Sequence, residues 1–165
     1  LLYDSMAAFY TACGSFMGQN YGAGKRKRVK NSYLISLAYS FGIGLVGGIC
    51  LVIFGRQFLG LFTNDAAVID AGMKRLTIMG FSYGFSAFMD ASIAASRALG
   101  KSFVPTITVI LGSCVFRMIW VNTVFAYFRT IPSLYLLYIF SWGITATVEI
   151  IYFIHVYKNT KIGIA

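Results

Sequence analysis

Charged side chains are scarce in this sequence of 165 residues. They make up 12% of it, whereas a soluble domain typically carries about 25%. Apolar residues make up 58% and aromatic residues 17%, so water would wet little of the folded surface and lipid is the favoured solvent for most of it. The composition therefore excludes an ordinary soluble domain.

The sequence also lacks the patterns that most catalytic and metal sites need. Its three cysteines, Cys13, Cys50 and Cys114, lie in separate apolar runs without CxxC spacing, so neither a disulfide framework nor a zinc site is indicated. The single histidine, His155, has no acidic residue at helical spacing, and no HExxH or Ser/His/Asp constellation is present. We predict that the protein is not an enzyme and holds no cofactor.

Acidic residues are few, since five of them face fourteen basic residues and give a net charge of +9. In a soluble protein this charge would suggest nucleic acid as a partner, but here the basic residues cluster between apolar runs. Five of the fourteen lie within residues 25–30. Such a run beside an apolar helix is typical of membrane orientation and of contact with anionic headgroups. The predicted partner is therefore membrane lipid and not nucleic acid.

Five apolar segments approach the length of about 20 residues that crosses a bilayer. They cover residues 1–17, 33–54, 76–95, 104–125 and 133–156. The only two prolines, Pro105 and Pro132, lie where the last two segments begin, and there a missing N–H is harmless. The predicted fold class is all-α, a polytopic membrane protein with about five transmembrane helices.

Glycines spaced four residues apart predict how two of these helices pack. Gly44 and Gly48 lie in the second segment, and Gly80 and Gly84 in the third. Small residues at this spacing let helix backbones approach closely. The glycine faces are therefore expected to contact protein and not lipid.

The polar connections predict the orientation. Residues 56–75 are too polar to cross the membrane, and Thr63, Asn64 and Asp65 offer an N-cap, so an extracytoplasmic loop with a short interfacial helix is expected. Nine basic residues lie on the side of the connection after the first segment and four on the other side. This bias predicts a cytoplasmic C-terminus, with residues 159–165 as a cytoplasmic tail.

One segment combines glycines and polar residues at the end of an apolar helix: Gly18, Gln19, Asn20, Tyr21, Gly22, Ala23, Gly24 and Lys25. A nucleotide-binding loop would need a preceding strand and the order GxxxxGK[ST], and neither is present. The segment resembles a hallmark of the multidrug and toxic compound extrusion (MATE) family. Two further segments are similar to the family: residues 61–69, like its extracytoplasmic loop, and residues 97–105, like its cytoplasmic turn.

The resemblance implies a place in a larger molecule. MATE transporters have two six-helix lobes around a central cavity, and residues 1–158 would be helices eight to twelve, most of the C-terminal lobe. The chain starts without a methionine inside an apolar stretch, which looks like a truncation. The family-motif residues are Gly18, Gln19, Asn20, Gly22, Gly24, Arg97, Gly100 and Pro105; Ala98 stands where the family often has glycine.

The resemblance also implies a function. The family expels cationic or amphipathic compounds from the cell by antiport against H⁺ or Na⁺, in the inner or plasma membrane. The partners would be the missing N-terminal lobe and a small-molecule substrate. Two alternatives stay open: a lipid-linked oligosaccharide flippase of related fold, for which more arginine in the cavity is expected, and an inactive truncated fragment or scaffold.

Ionisable residues inside the spans are the main site candidates, because each costs at least about 2.5 kcal/mol to insert. Asp90 precedes Arg97 by seven residues, or about 10 Å along a helix, and Glu149 precedes Val156 by the same number. At matched depth the two carboxylates can face one cavity, where burial and mutual repulsion would suit proton coupling. The alternative is a role in the polar interior of the lobe, or a pairing of Glu149 with a basic group.

Arg117 lies inside the fourth segment, in the outer half of the membrane. It is a candidate for the substrate path or for pairing with a carboxylate, and the alternative is an interfacial or lobe-packing arginine. Tyr39 and Tyr83 are candidates for holding a lipophilic cation by cation–π contact. The alternative for both tyrosines is helix packing.

Overall fold

The computed structural model describes residues 2–160, apart from the side chains at positions 81, 131 and 132. This part of the chain forms five long helices and one short one. They are α1 (Leu2–Gly22), α2 (Arg26–Ile53), α3 (Gly55–Gly60), α4 (Ala66–Ala98), α5 (Phe103–Phe128) and α6 (Ile131–Asn159). The last five residues of the predicted tail lie outside the described range.

Three of the long helices, α2, α5 and α6, are long and apolar enough to cross a membrane by length and composition. The predicted fold class, an all-α polytopic membrane protein, is thereby confirmed. The sequence predicts about five spans, and the two long helices that do not meet this measure are α1 and α4. Helix α4 packs against α1, α2 and α6. A helix surrounded by protein meets little lipid and can carry more small and polar residues.

The glycines of α2 and α4 form a close crossing of the two helices. Gly44 and Gly48 are buried, and a Cβ added at Gly48 would overlap the carbonyl group of Gly80. Gly84 lies against the ring of Phe41, with 3.1 Å from a built Cβ to the ring. The glycine faces therefore contact protein, as the spacing predicts.

One end of the bundle carries most of the positive charge, and we call it the basic end. There α1, α4 and α6 finish and α2 and α5 begin, and its cations are Lys25, Arg26, Lys27, Arg28, Lys30, Arg97, Lys101 and Lys158. A hydrophobic cluster that includes Met17, Val29, Leu99 and Phe153 lies beneath it. This cluster ties four helices together at the basic end.

The connection between the second and third predicted spans differs from the expectation. The predicted N-cap is present, since the Asp65 carboxylate accepts a hydrogen bond of 2.9 Å from the Ala67 N–H. The helix that starts there is not a separate short helix, however, but continues to Ala98. No proline interrupts residues 66–98, so nothing separates a surface helix from the span.

Helix α5 contains an irregularity that the sequence does not indicate. Two π-helical segments, Ile110–Val115 and Val121–Phe125, interrupt its α-helical turns. Pro105 occupies its first turn, as predicted. The side chains of α5 are mostly exposed, and therefore α5 lies at the periphery of the described bundle.

Candidate functional site

Asp90 lies in the C-terminal third of α4, eight residues before its end, and faces α1. Its carboxylate is half-buried, the Tyr3 hydroxyl is a hydrogen-bond partner, and the charge acts on Tyr10 as well. The rings of Tyr3 and Tyr10 lie 6.4 Å apart. One carboxylate oxygen, Oδ2, has no hydrogen-bond partner among residues 2–160. An acidic group with a free oxygen beside two phenols can hold a proton or a small cation.

Glu149 lies on α6 and is fully enclosed, with 0% of its surface exposed. Within the described part of the chain, neither of its carboxylate oxygens has a hydrogen bond of ordinary geometry. Arg97 of α4 and Thr108 of α5 are its polar neighbours. A buried carboxylate without a fixed partner is costly for the fold, so Glu149 is a functional candidate in its own right.

The two carboxylates have different surroundings. Asp90 is turned towards the tyrosines of α1, whereas Glu149 is turned towards Thr108. The one group whose charge acts on both is Arg97. The two acids therefore have Arg97 as a common neighbour, and neither acid is among the groups that act on the other.

Arg117 packs between α5 and α6. Its Nε donates a hydrogen bond of 3.2 Å to the Ser141 hydroxyl, and its guanidinium lies 4.6 Å from the centre of the Tyr138 ring. The Ser141 hydroxyl in turn donates to the Gly112 carbonyl at 2.7 Å. Gly112 belongs to the first π-helical segment. The arginine is thus part of a polar network that joins the irregular part of α5 to α6.

The two candidate tyrosines have separate locations. Tyr39 is 59% exposed and stacks on Phe9, with ring centres 5.7 Å apart. It lines a groove of about 410 Å³ between α1 and α2, whose walls include Phe16 and Ile35. Tyr83 instead packs towards α6, with its ring 6.3 Å from that of Trp142. Only Tyr39 offers an open aromatic face.

Most of the family-motif residues lie at two helix C-termini that have the same hydrogen-bond pattern. In α1, the Lys25 N–H bonds to the Asn20 carbonyl at 2.9 Å and the Gly24 N–H bonds to the Tyr21 carbonyl at 3.0 Å. The end of α4 repeats the pattern: the Lys101 N–H bonds to Ser96 at 3.0 Å and the Gly100 N–H bonds to Arg97 at 2.9 Å. Both are Schellman motifs.

The glycines make these two ends possible. Gly24 has φ of 67° and Gly100 has φ of 77°, in the left-handed region that other residues adopt at a cost. The two ends lie side by side, since a Cβ on Gly18 would be 3.9 Å from the Ala98 carbonyl oxygen. The Gly-Lys pair that occurs in both segments, Gly24-Lys25 and Gly100-Lys101, is the sequence signal that would have predicted the same C-terminal motif in both helices.

A row of buried serines lies along α4, of which sequence reasoning missed Ser92 and Ser96. Ser82, Ser86, Ser92 and Ser96 are all fully buried, and the Ser92 hydroxyl lies 2.9 Å from that of Tyr33 on α2. The Ser96 hydroxyl has no partner among the described residues. Their spacing along one helix could have indicated an internal polar face, but which helix they meet depends on the packing.

Comparison with known families gives one match, while no curated protein matches the chain. The MatE family model matches residues 1–128, which is most of the chain. The matched range includes the paired helix ends, the glycine crossing and Asp90, and the members of the family are membrane transporters and not enzymes. The chain belongs to the MatE family.

Proposed function

We propose that this chain forms most of one lobe of an exporter that moves cationic or amphipathic compounds out of the cell by antiport against H⁺ or Na⁺. The observation that carries the proposal is Asp90, a partly free carboxylate about 12 Å from the basic end of α4, beside two phenols of α1. An ionisable group within a membrane helix is energetically expensive, and such groups mark functional sites that include ion pathways and proton relays. Glu149 is the second candidate for ion coupling.

In this proposal the substrate binds along the groove between α1 and α2. The groove is mostly apolar, and Phe9, Phe16 and Tyr39 supply its aromatic surface. Exposed aromatic faces attract flat organic cations by cation–π contact. The second lobe would close the cavity opposite this groove.

The basic end is proposed to lie in the cytoplasm and the chain in the cell membrane. Positively charged connections are retained on the cytoplasmic side during insertion, and the basic end carries eight of the cations in the described chain. The opposite end carries four cations: Arg56, which pairs with Asp70, and Lys74, Arg75 and Arg129.

The test is gradient-driven efflux of a fluorescent organic cation from proteoliposomes that contain the natural full-length protein. We expect Asp90→Asn to reduce the gradient-driven rate at least tenfold at equal protein incorporation. Asp70→Asn is the matched control, because Asp70 lies on the same helix but is exposed and paired with Arg56, and it should transport normally. Applying the H⁺ and Na⁺ gradients one at a time identifies the coupling ion.

Two outcomes would contradict the proposal. One is an efflux rate that does not change when both ion gradients are collapsed, which would exclude antiport. The other is normal coupled transport in both Asp90→Asn and Glu149→Gln, which would remove the two acids from the mechanism.

A further inference from the structure

A crevice opens at the basic end between α1, the α4–α5 connection and the last turns of α6. Its volume is about 450 Å³, and Tyr21, Lys101, Tyr152, His155, Asn159 and Thr160 line it. A volume of this size accommodates a small polar group. The crevice lies away from Asp90 and from the groove that contains Tyr39.

The side-chain charge of the crevice is positive, and none of the described residues that line it is acidic. The ammonium group of Lys101 makes no hydrogen bond or ion pair with the rest of residues 2–160. None of the five acidic residues in the sequence lies in segments 19–30, 97–103 or 150–160, which form this end. An anion is therefore the ligand that this charge would attract.

The backbone of Lys101 is also fixed by a hydrogen bond. Its backbone N–H bonds to the Ser96 carbonyl at 3.0 Å, and Gly100 fixes the turn before it. Arg26, by contrast, is already engaged, because it donates to the Tyr157 carbonyl at 3.0 Å and lies 4.9 Å from the centre of the Tyr157 ring. Lys101 is thus the cation best positioned to serve a ligand in the crevice.

One wall of the crevice is polar, and exposed apolar side chains lie next to it on the same helix. The Asn159 amide lies 2.9 Å from the His155 ring, so these two polar groups form one wall. One and two turns before His155 on the same helix, Ile151 and Val148 are exposed apolar side chains. A ligand with a charged head and an apolar tail matches this arrangement, whereas free phosphate would leave the apolar surface uncovered.

We propose that the crevice binds the headgroup of an anionic phospholipid. The phosphate would lie against the Lys101 ammonium group and the Asn159 amide. The hydroxyl groups of Tyr21 and Tyr152 would lie at the headgroup level, where tyrosine is enriched in membrane proteins. The acyl chains would run along the exposed apolar face of α6.

Native mass spectrometry of the natural full-length protein, released from nanodiscs of phosphatidylglycerol and phosphatidylcholine, tests the proposal. We expect phosphatidylglycerol to be retained over phosphatidylcholine. Lys101→Gln should reduce the retained phosphatidylglycerol about fivefold, the amount that one lysine contributes near an anionic surface. Lys101→Arg should restore it, and Lys27→Gln, in the exposed run outside the crevice, should stay within twofold of the unmodified protein.

Three results would overturn the proposal. Equal loss in Lys101→Gln and Lys27→Gln would mean diffuse attraction without a site. Equal retention of the two lipids would mean that charge is not recognised. Displacement of the lipid by millimolar inorganic phosphate or glycerol phosphate would identify a soluble phosphate compound as the ligand. If Lys101→Gln does not fold, Asn159→Ala provides the second variant for the same comparison.

Discussion

At the scale of single residues, Gly100 is a position where the backbone conformation alone determines how much a substitution destabilises the fold. We expect Gly100→Ala to lower the free energy of unfolding by about 1–2 kcal/mol, because alanine is strained at positive φ. A side chain there would meet no other atom within 4 Å, so crowding does not contribute. Melting followed by the fluorescence of Trp120 and Trp142 in detergent measures the change.

Gly22→Ala is the control for this prediction. Its Cβ would also meet nothing within 4 Å, but Gly22 is the last helical residue of α1, where alanine is at least as favourable as glycine. An equal loss of stability in both variants would show that the left-handed backbone is not the cause.

Ser141 is a second residue whose contribution to stability can be measured, through its buried hydroxyl. It connects Arg117 to the Gly112 carbonyl, and Ser141→Ala would leave both groups without that partner. We expect a loss of about 2 kcal/mol in stability. Thr147→Ala, also on α6, should cost little because the Thr147 hydroxyl is exposed and bonds only to its own helix. A similar melting temperature for the two variants would rule out the network.

The sequence identifies the ionisable candidates but not their surroundings. Asp90 and Glu149 can be selected because a charge inside an apolar run is unusual whatever the fold. The residues that surround them cannot be predicted in the same way, because which helix a side chain faces is known only once the helices have been placed relative to one another. Tyr3 is 87 residues from Asp90 along the chain, and no local pattern joins them.

At the scale of helices, the crossing of α2 and α4 depends on the absence of a side chain. We expect Gly48→Ala to cost about 3 kcal/mol, because its Cβ would overlap the Gly80 backbone and force the helices apart. The yield of monodisperse protein and the melting temperature should both fall. Gly42→Ala on the same helix meets nothing within 4 Å and should behave like the unmodified protein.

The sequence predicts which segments are helical more readily than it predicts irregularities within a helix. Apolar runs of the right length predict that α2 and α6 are helices, because length and apolar character belong to the whole segment. The π-helical segments of α5 have no comparable signal. Gly112, in the first of them, contacts Thr145 and Ser141 of α6, and these contacts exist only once the two helices have packed. The polarity of residues 56–75 predicts a helix that ends before the third span, but no proline breaks residues 66–98 and α4 is continuous.

At the scale of the whole molecule, the charge asymmetry predicts a single orientation. After replacement of Cys13, Cys50 and Cys114, a membrane-impermeant maleimide should label Asn64→Cys in intact cells. It should label Lys27→Cys only after permeabilisation, because basic connections stay on the cytoplasmic side. Both positions are exposed, so access is decided by the side of the membrane. The reverse pattern would invert the proposed topology.

The parallel course of α1, α4 and α6 has an electrostatic consequence for the basic end. Each helix carries the equivalent of about half a negative charge at its C-terminus, and three C-termini meet there, against the N-termini of α2 and α5. Lys25 and Lys101 immediately follow two of these C-termini, and Lys158 lies in the last turn of the third. These lysines therefore offset the macrodipoles of their own helices, and part of the positive charge serves the bundle itself.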